Sequence, residues 1–376
     1  MAKAWSWPFR AKTAEQKSTS GLVALAHPGA AHWGGRDAAA LTRDGYLRNA
    51  VAYRCVRMVA EAAASIGLVT EHVGAAKILA MPQPGEAGAA FFERLYSDLQ
   101  LTGNAYIEAV RLPGERGVAG LYPLRPSRVQ AVLDGRGWVD GYSVKAGREA
   151  RIVRRDEGGW CPVFHAKLHH PDDDVYGLPA LAAARRALDL HNATADWAKA
   201  LIDNSAKPSG ALVFSGGQNL TPDQFDRLKD ELERQYSGAA NAGRPLLLEG
   251  GLDWRAMSLS PAEMDFREAR NGAAREIALA LGVPPMLLGI PGDNTYSNYK
   301  EANLAFWRMT VLPLVRRMSG ALGLWLGEAF GEEVSLSLDL DRVSALSAER
   351  DALWARLEAA SFATEDEKRS LAGLDR

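Results

Sequence analysis

Residues 178–204 read LPALAAARRALDLHNATADWAKALIDN. Leu181, Ala184, Leu188, Ala195, Ala198 and Ile202 fall on one helical stripe. At 1.5 Å per residue the predicted helix is roughly 39 Å long. A stripe lined by alanine lets another helix approach closely, so Ala195 and Ala198 are candidates for helix-to-helix packing. A second long helix is predicted from Ser260-Pro261-Ala262-Glu263, an N-terminal start signal, to Leu281, where Gly282 and Pro284-Pro285 stop it. Between the two lies a compact strand–helix–strand insertion. Residues 209–214 form its first strand, Thr221-Pro222-Asp223 opens its helix with Phe225, Leu228 and Leu232 inward, and residues 245–248 form its second strand.

Upstream, residues 1–40 are rich in Ala, Gly, Ser, Thr and Lys and are expected to be a mobile arm. Tyr53, Val56, Val59, Ala60 and Ala63 predict a helix up to Gly67. After Pro82 and Pro84, Phe92, Leu95, Tyr96 and Leu99 predict another, closed by Gly103. A meander of short strands follows over 105–111, 120–124, 128–133 and 148–154. Downstream of the second long helix, residues 289–297 form a polar loop with Gly289, Pro291 and Gly292. They display Asp293, Asn294, Thr295, Tyr296 and Ser297, and no Lys or Arg. A helix over 298–326 contains Pro313, which should kink it. Val334, Leu336, Leu338 and Leu340 alternate with Ser335, Ser337 and Asp339 as a half-buried strand, and helices over 347–360 and 364–371 close the chain.

The 376 residues carry 44 Lys and Arg against 46 Asp and Glu, a formal charge of −2. A protein that holds nucleic acid by neutralising phosphates shows a basic excess, so contact with DNA should be loose. Two cysteines cannot build a disulfide framework or a four-ligand zinc site. No run approaches 18 apolar residues and no secretory core is present, so the expectation is a soluble intracellular chain. The P-loop, dinucleotide and G-x-S-x-G signatures are missing, which excludes an ATPase of the usual kinds and an esterase elbow. The densest polar cluster is His165, His169, His170, Asp172, Asp173 and Asp174. Imidazoles beside carboxylates are metal-ligand types, so a metal-dependent hydrolase centred on His165, His169 and Asp172 is one reading. A strand ending in a solvated acidic turn, with His165 alternating inward, is the other.

The order of elements and several local phrases resemble the portal proteins of tailed bacteriophages, in the siphophage-type branch with the chain-mail capsid fold, which includes gene transfer agents. The phrases are Val51-Ala52-Tyr53-Arg54-Cys55-Val56; Leu101-Thr102-Gly103-Asn104-Ala105-Tyr106; Leu121-Tyr122-Pro123-Leu124; Tyr176-Gly177-Leu178-Pro179; Lys207-Pro208-Ser209-Gly210; Leu281-Gly282-Val283-Pro284-Pro285-Met286-Leu287-Leu288-Gly289; and Ser297-Asn298-Tyr299 with Asn303-Leu304-Ala305-Phe306. Thr364-Glu365-Asp366-Glu367-Lys368-Arg369 is similar to a further family phrase, with Asp366 where Asn is usual. The resemblance implies an α+β subunit with a mixed wing (first part 41–177), stem helices over 178–205 and 261–283, and a clip over 206–260. A tunnel loop region over 284–297, a kinked tunnel helix and wing strand over 298–342, and a helical crown over 343–376 complete it.

It further implies a dodecameric ring at one capsid vertex, assembled in the host cytoplasm and carried in the virion. Double-stranded DNA would pass through it without specific binding. Its partners would be the terminase packaging ATPase, the major capsid protein and the head–tail adaptor, with no membrane, cofactor, metal or catalytic residue. Gly292, Asp293, Asn294, Thr295, Tyr296 and Ser297 would line the channel, and Ala195 and Ala198 would pack stem against stem. Twelve copies at −2 carry −24, a weakly repulsive balance that suits a conduit, which must not grip its cargo. A monomeric nucleic-acid-binding module is the third reading, and a mass measurement separates it from a ring.

Overall fold

The computed structural model describes residues 38–111, 117–203, 210–214, 221, 223, 224, 226, 227, 229, 230, 252–256, 266–291, 296–341 and 343–373. They divide into two units, one from 32–194 with 267–376 and a smaller one from 195–266.

In the larger unit, α1 (Ala38–Leu41) runs into a single wide π turn, Thr42–Tyr46, then α2 (Ala50–Ala64). The expected arm therefore ends earlier than residue 40: Ala40 and Leu41 are buried, which holds α1 in place. Asn49 starts α2 by accepting hydrogen bonds from Val51 N–H (3.1 Å) and Ala52 N–H (3.0 Å) on its side chain. The buried face of α2 is Ala52, Cys55, Val56, Val59, Ala60 and Ala63. Tyr53, placed on that stripe by periodicity, is 41% exposed instead and packs its ring on Tyr46. β1 (Gly67–Val69) and α3 (Val73–Ala80) follow, then α4 (Gly88–Thr102), which buries Phe91, Phe92, Leu95, Tyr96 and Leu99 against α2.

The meander forms two antiparallel sheets. β2 (Asn104–Val110) lies between β3 (Gly120–Leu124) and β7 (Val163–Lys167). β5 (Val139–Ala146) lies between β4 (Val129–Leu133) and β6 (Glu149–Arg154). Gly141 is open to no larger residue, because a Cβ there would sit 2.3 Å from the Val153 carbonyl oxygen across the ladder.

The first long helix is broken in two, α5 (Ala180–Ala183) and α6 (Arg185–Asp203), with the step at Ala184. Its first half follows the predicted stripe: Leu181, Ala184 and Leu188 are buried. The second long helix is α7 (Phe266–Ala280), whose residues Ala273, Ala274, Ile277 and Ala278 join the core. α8 (Tyr296–Phe306), a π turn over Trp307–Val311 and α9 (Leu312–Phe330) make the last long segment. β10 (Ser337–Asp339) pairs antiparallel with β1, and α10 (Ser347–Ala359) and α11 (Glu365–Ala372) end the chain. Thr364 and Glu367 form a reciprocal capping box at the start of α11.

In the smaller unit, β8 (Gly210–Phe214) pairs antiparallel with β9 (Leu252–Ala256). The second strand expected at 245–248 lies outside the described residues, and β9 is one that periodicity did not find. The Thr221 hydroxyl oxygen accepts from Gln224 N–H at 3.3 Å, and Thr221 N–H donates to Gln224 Oε1 at 3.0 Å, a helix start as expected at that point. No helix among the described residues is long and apolar enough to cross a membrane.

Candidate functional site

Two of the phrases quoted above, 73 residues apart, meet where the strands hand over to α5. Gly103 closes α4 with φ +75°, and a Cβ on it would lie 2.4 Å from the Gly177 carbonyl oxygen. Gly177 is equally confined, since its Cβ would lie 2.0 Å from the Gly103 carbonyl oxygen. Asn104, 7% exposed, bridges them. Its Oδ1 accepts from Gly177 N–H at 2.7 Å, and its Nδ2 donates to the Thr102 carbonyl at 2.8 Å.

That arrangement fixes the state of His165. Because Asn104 presents Oδ1, His165 Nε2 must donate to it, at 2.9 Å. Nδ1 is then the acceptor, and the Tyr142 hydroxyl stands 3.3 Å away to donate. The ring stacks on Tyr106, centroids 4.3 Å apart. Burial, with the Lys167 charge adding, pushes the His165 pKa down to about 3, so it stays neutral. Both ring nitrogens are occupied by this hydrogen bonding, which removes His165 from any metal-ligand set. His169 is exposed, and His170 Nδ1 accepts from Asp172 N–H at 3.0 Å. Asp173 accepts from Val175 N–H (2.7 Å) and Tyr176 N–H (2.9 Å), which makes the acidic run a turn. Among the described residues no group of three His, Cys, Asp or Glu could hold a metal.

The loop expected to line a channel is anchored at its first end. Gly282 takes φ +67° after α7, with Val283 N–H bonded back to the Ala278 carbonyl at 2.9 Å. Pro284 and Pro285 then start a short 3₁₀ turn, Pro285–Leu288, ended by Gly289 at φ +70°. Thr310 in the π turn donates its hydroxyl to the Gly282 carbonyl at 2.6 Å, and Arg275 donates to the Pro291 carbonyl. Of the six candidate channel residues, Gly292, Asp293, Asn294 and Thr295 lie outside the described residues. Tyr296 and Ser297 belong to the first turn of α8, two residues earlier than the expected helix start and so not to the loop.

Pro313, expected to kink the helix over 298–326, follows a π turn, Trp307–Val311. It sits in the first turn of α9, and the preceding turn has already widened: Leu312 N–H bonds to the Trp307 carbonyl, five residues back. The change of register lets the helix resume with proline at a position where its missing N–H costs little.

Ala195 and Ala198 are half-buried on α6. The residue between them in the smaller unit, Trp197, stacks on Phe266 with centroids 4.1 Å apart, a contact that alanine periodicity could not indicate. In the larger unit α6 and α7 meet at His191, which is 6% exposed. Its Nδ1 lies 3.0 Å from Asn49 Nδ2 and its Nε2 3.5 Å from Arg270 Nε, and burial together with the Arg270 charge lowers its pKa. A further lock went unseen in the sequence. Trp160 Nε1 donates to the Trp325 carbonyl at 3.1 Å, and Trp325 Nε1 donates to the Cys161 carbonyl at 2.8 Å, with the two rings stacked. Arg111 caps that pair, 3.8 Å above the Trp160 ring.

Residues 50–373 match the family described as phage portal protein. A chain from the neck of an empty gene transfer agent particle, computed with C6 symmetry, is 46% identical over 92% of this chain and 96% of its own, at a TM-score of 0.69. One from the neck of the native particle, computed with C12 symmetry, is 47% identical with the same coverage and TM-score. A "Probable portal protein" of Streptomyces phage phiC31 is 26% identical over 82% of this chain and 70% of its own length.

Proposed function

Since this chain belongs to the phage portal protein family, we propose that it forms a twelve-membered ring at one vertex of a capsid, in a phage or a gene transfer agent particle. Portal proteins are structural rather than enzymatic. The observation that carries the reading is the pair of particle-neck chains, 46 and 47% identical over 92% of this one and solved in sixfold and twelvefold symmetry. In the ring, double-stranded DNA passes through the central channel during packaging and ejection. The packaging ATPase and later the head–tail adaptor dock on the clip, and the major capsid protein surrounds the wing.

Residues 292–295 face the bore in this arrangement, with Tyr296 and Ser297 starting the helix behind them. With no Lys or Arg in the set, their contact with the duplex is steric and sliding. The Gly282–Thr310 contact supports the reading, because it anchors the chain just before that loop. Light scattering and electron microscopy of the purified chain test the proposal. The expected mass is twelve times the 40.6 kDa chain, in annular particles. A monomer at all concentrations refutes it.

A further inference from the structure

α6 and α7 approach each other through their core stripes. His191 follows Ala184 and Leu188 at helical spacing, and Arg270 precedes Ala273, Ala274 and Ile277 in the same way. These two side chains meet, with His191 Nε2 3.5 Å from Arg270 Nε. The buried apolar residues of α6, Ala187 and Leu188, come before that contact and those of α7 come after it, so the helices enter the core antiparallel. Each therefore turns its opposite face away from the other, to the two sides of the seam.

Those two outer faces match in shape as well as in charge. Ala183, at the end of α5, and Arg186, Leu190 and Ala193 on α6 form one exposed stripe. Glu268, Gly272, Glu276 and Leu279 form the other, on α7. Leu190 is 48% and Leu279 77% exposed, and a Cβ on Gly272 would meet nothing within 4 Å. Arg186, Glu268 and Glu276 have no ion-pair partner among the described residues, and Arg275, on the same side of α7, is already bonded to the Pro291 carbonyl. Heights along the seam follow from the His191–Arg270 contact at 1.5 Å per residue. Leu190 and Gly272 both lie about 2 Å inward of it, Arg186 and Glu276 about 8 Å, and Ala183 and Leu279 about 13 Å. A large residue thus stands level with a small one at two heights, and opposite charges stand level at the third. Either stripe against its own copy would instead bring like charges together, Arg186 on one side or the two glutamates on the other. Two different faces on opposite sides of a subunit are what a closed ring requires, and a rotation about an axis along the stem keeps each residue at its height.

We propose that in the ring the outer face of α6 of one copy packs on the outer face of α7 of the next, with Leu190 over Gly272, Leu279 over Ala183 and Arg186 paired with Glu276. The inference rests on the ring reading above. Cross-linking tests it on the full chain. Leu190→Cys combined with Gly272→Cys should give, on oxidation of the ring, a ladder of bands at multiples of the 40.6 kDa chain, while either cysteine alone gives none. Cys55 and Cys161 are buried and do not contribute. Arg186→Glu and Glu276→Arg should each cut ring yield about tenfold or more with the monomer melt unchanged, and the double exchange should restore it. Rings of normal mass that give no ladder overturn the inference and leave the portal reading standing. A dimer band from a single cysteine shows like faces meeting and overturns it as well. So do charge reversals that leave ring yield unchanged, or a double exchange that restores nothing. A wild-type chain that forms no ring fails the portal reading instead.

Discussion

Replacing Asn104 by Ala tests the junction that joins the strands to α5. The substitution removes the acceptor for two buried donors, Gly177 N–H at 2.7 Å and His165 Nε2–H at 2.9 Å. Each buried donor left without a partner costs about 1–3 kcal/mol, so the pair costs about 2–6 kcal/mol. The Nδ2 donation to the Thr102 carbonyl is also lost, and since Thr102 is only half-buried that loss adds little. For a unit of this size about 1 kcal/mol moves the melting temperature by roughly 2–4 °C. The expected drop is therefore roughly 4–24 °C, read by near-ultraviolet circular dichroism on the full chain. Asn104→Asp keeps an acceptor for both donors and loses only the amide's donations, so it should fall between wild type and Ala at neutral pH. Because α5 begins three residues after Gly177, ring yield should decline with Asn104→Ala at temperatures where wild type still assembles. A drop of less than about 2 °C with normal assembly would show that this hydrogen bonding does not hold the junction, and the reasoning would fail.

Other outcomes follow from the same geometry. His165 is held near pKa 3 in the fold against about 6.5 in the unfolded chain, so the unfolded state takes up more protons between those values and stability should fall with falling pH across that window. The loss at pH 5 is about 2 kcal/mol, and His165→Gln should flatten the pH dependence of the melt; an unchanged slope contradicts the assignment, with His191 contributing a smaller loss of the same sign. Ala195→Leu and Ala198→Leu should each overpack a stem contact by about 1–3 kcal/mol, lowering ring yield before monomer stability, and normal rings from both would place these alanines away from the interface. Asp293→Lys and Thr295→Arg should leave the ring intact and slow DNA packaging or release, most at low salt, as counted from full particles across ionic strength. Unaltered packaging and release in both variants would remove this loop from the bore.

The sequence by itself determined the main helices and most of the strands of the larger unit, though not β1, α3 or β5, because apolar periodicity and Gly or Pro punctuation are local properties. Asn49, Gly103, Gly282 and Thr364 each mark a helix end through their own backbone or side-chain chemistry, and each does so in the structure. The same local signals gave the buried stripe Leu181, Ala184 and Leu188 and a meander of strands. Where they misled, a distant neighbour had the deciding say. Tyr53 has the right spacing for the core and sits at its rim, with its ring against Tyr46 of the preceding π turn. β5 was obscured by Gly141, whose value is the close approach of Val153 on another strand. The His165 cluster could be read as a metal site or a turn until Asn104, 61 residues away, supplied the partner that commits one ring nitrogen and Tyr142 the other. Only tertiary structure could decide these points, since a hydrogen bond or a van der Waals clash depends on which residues the fold brings within about 3 Å, and separation along the chain carries no record of that.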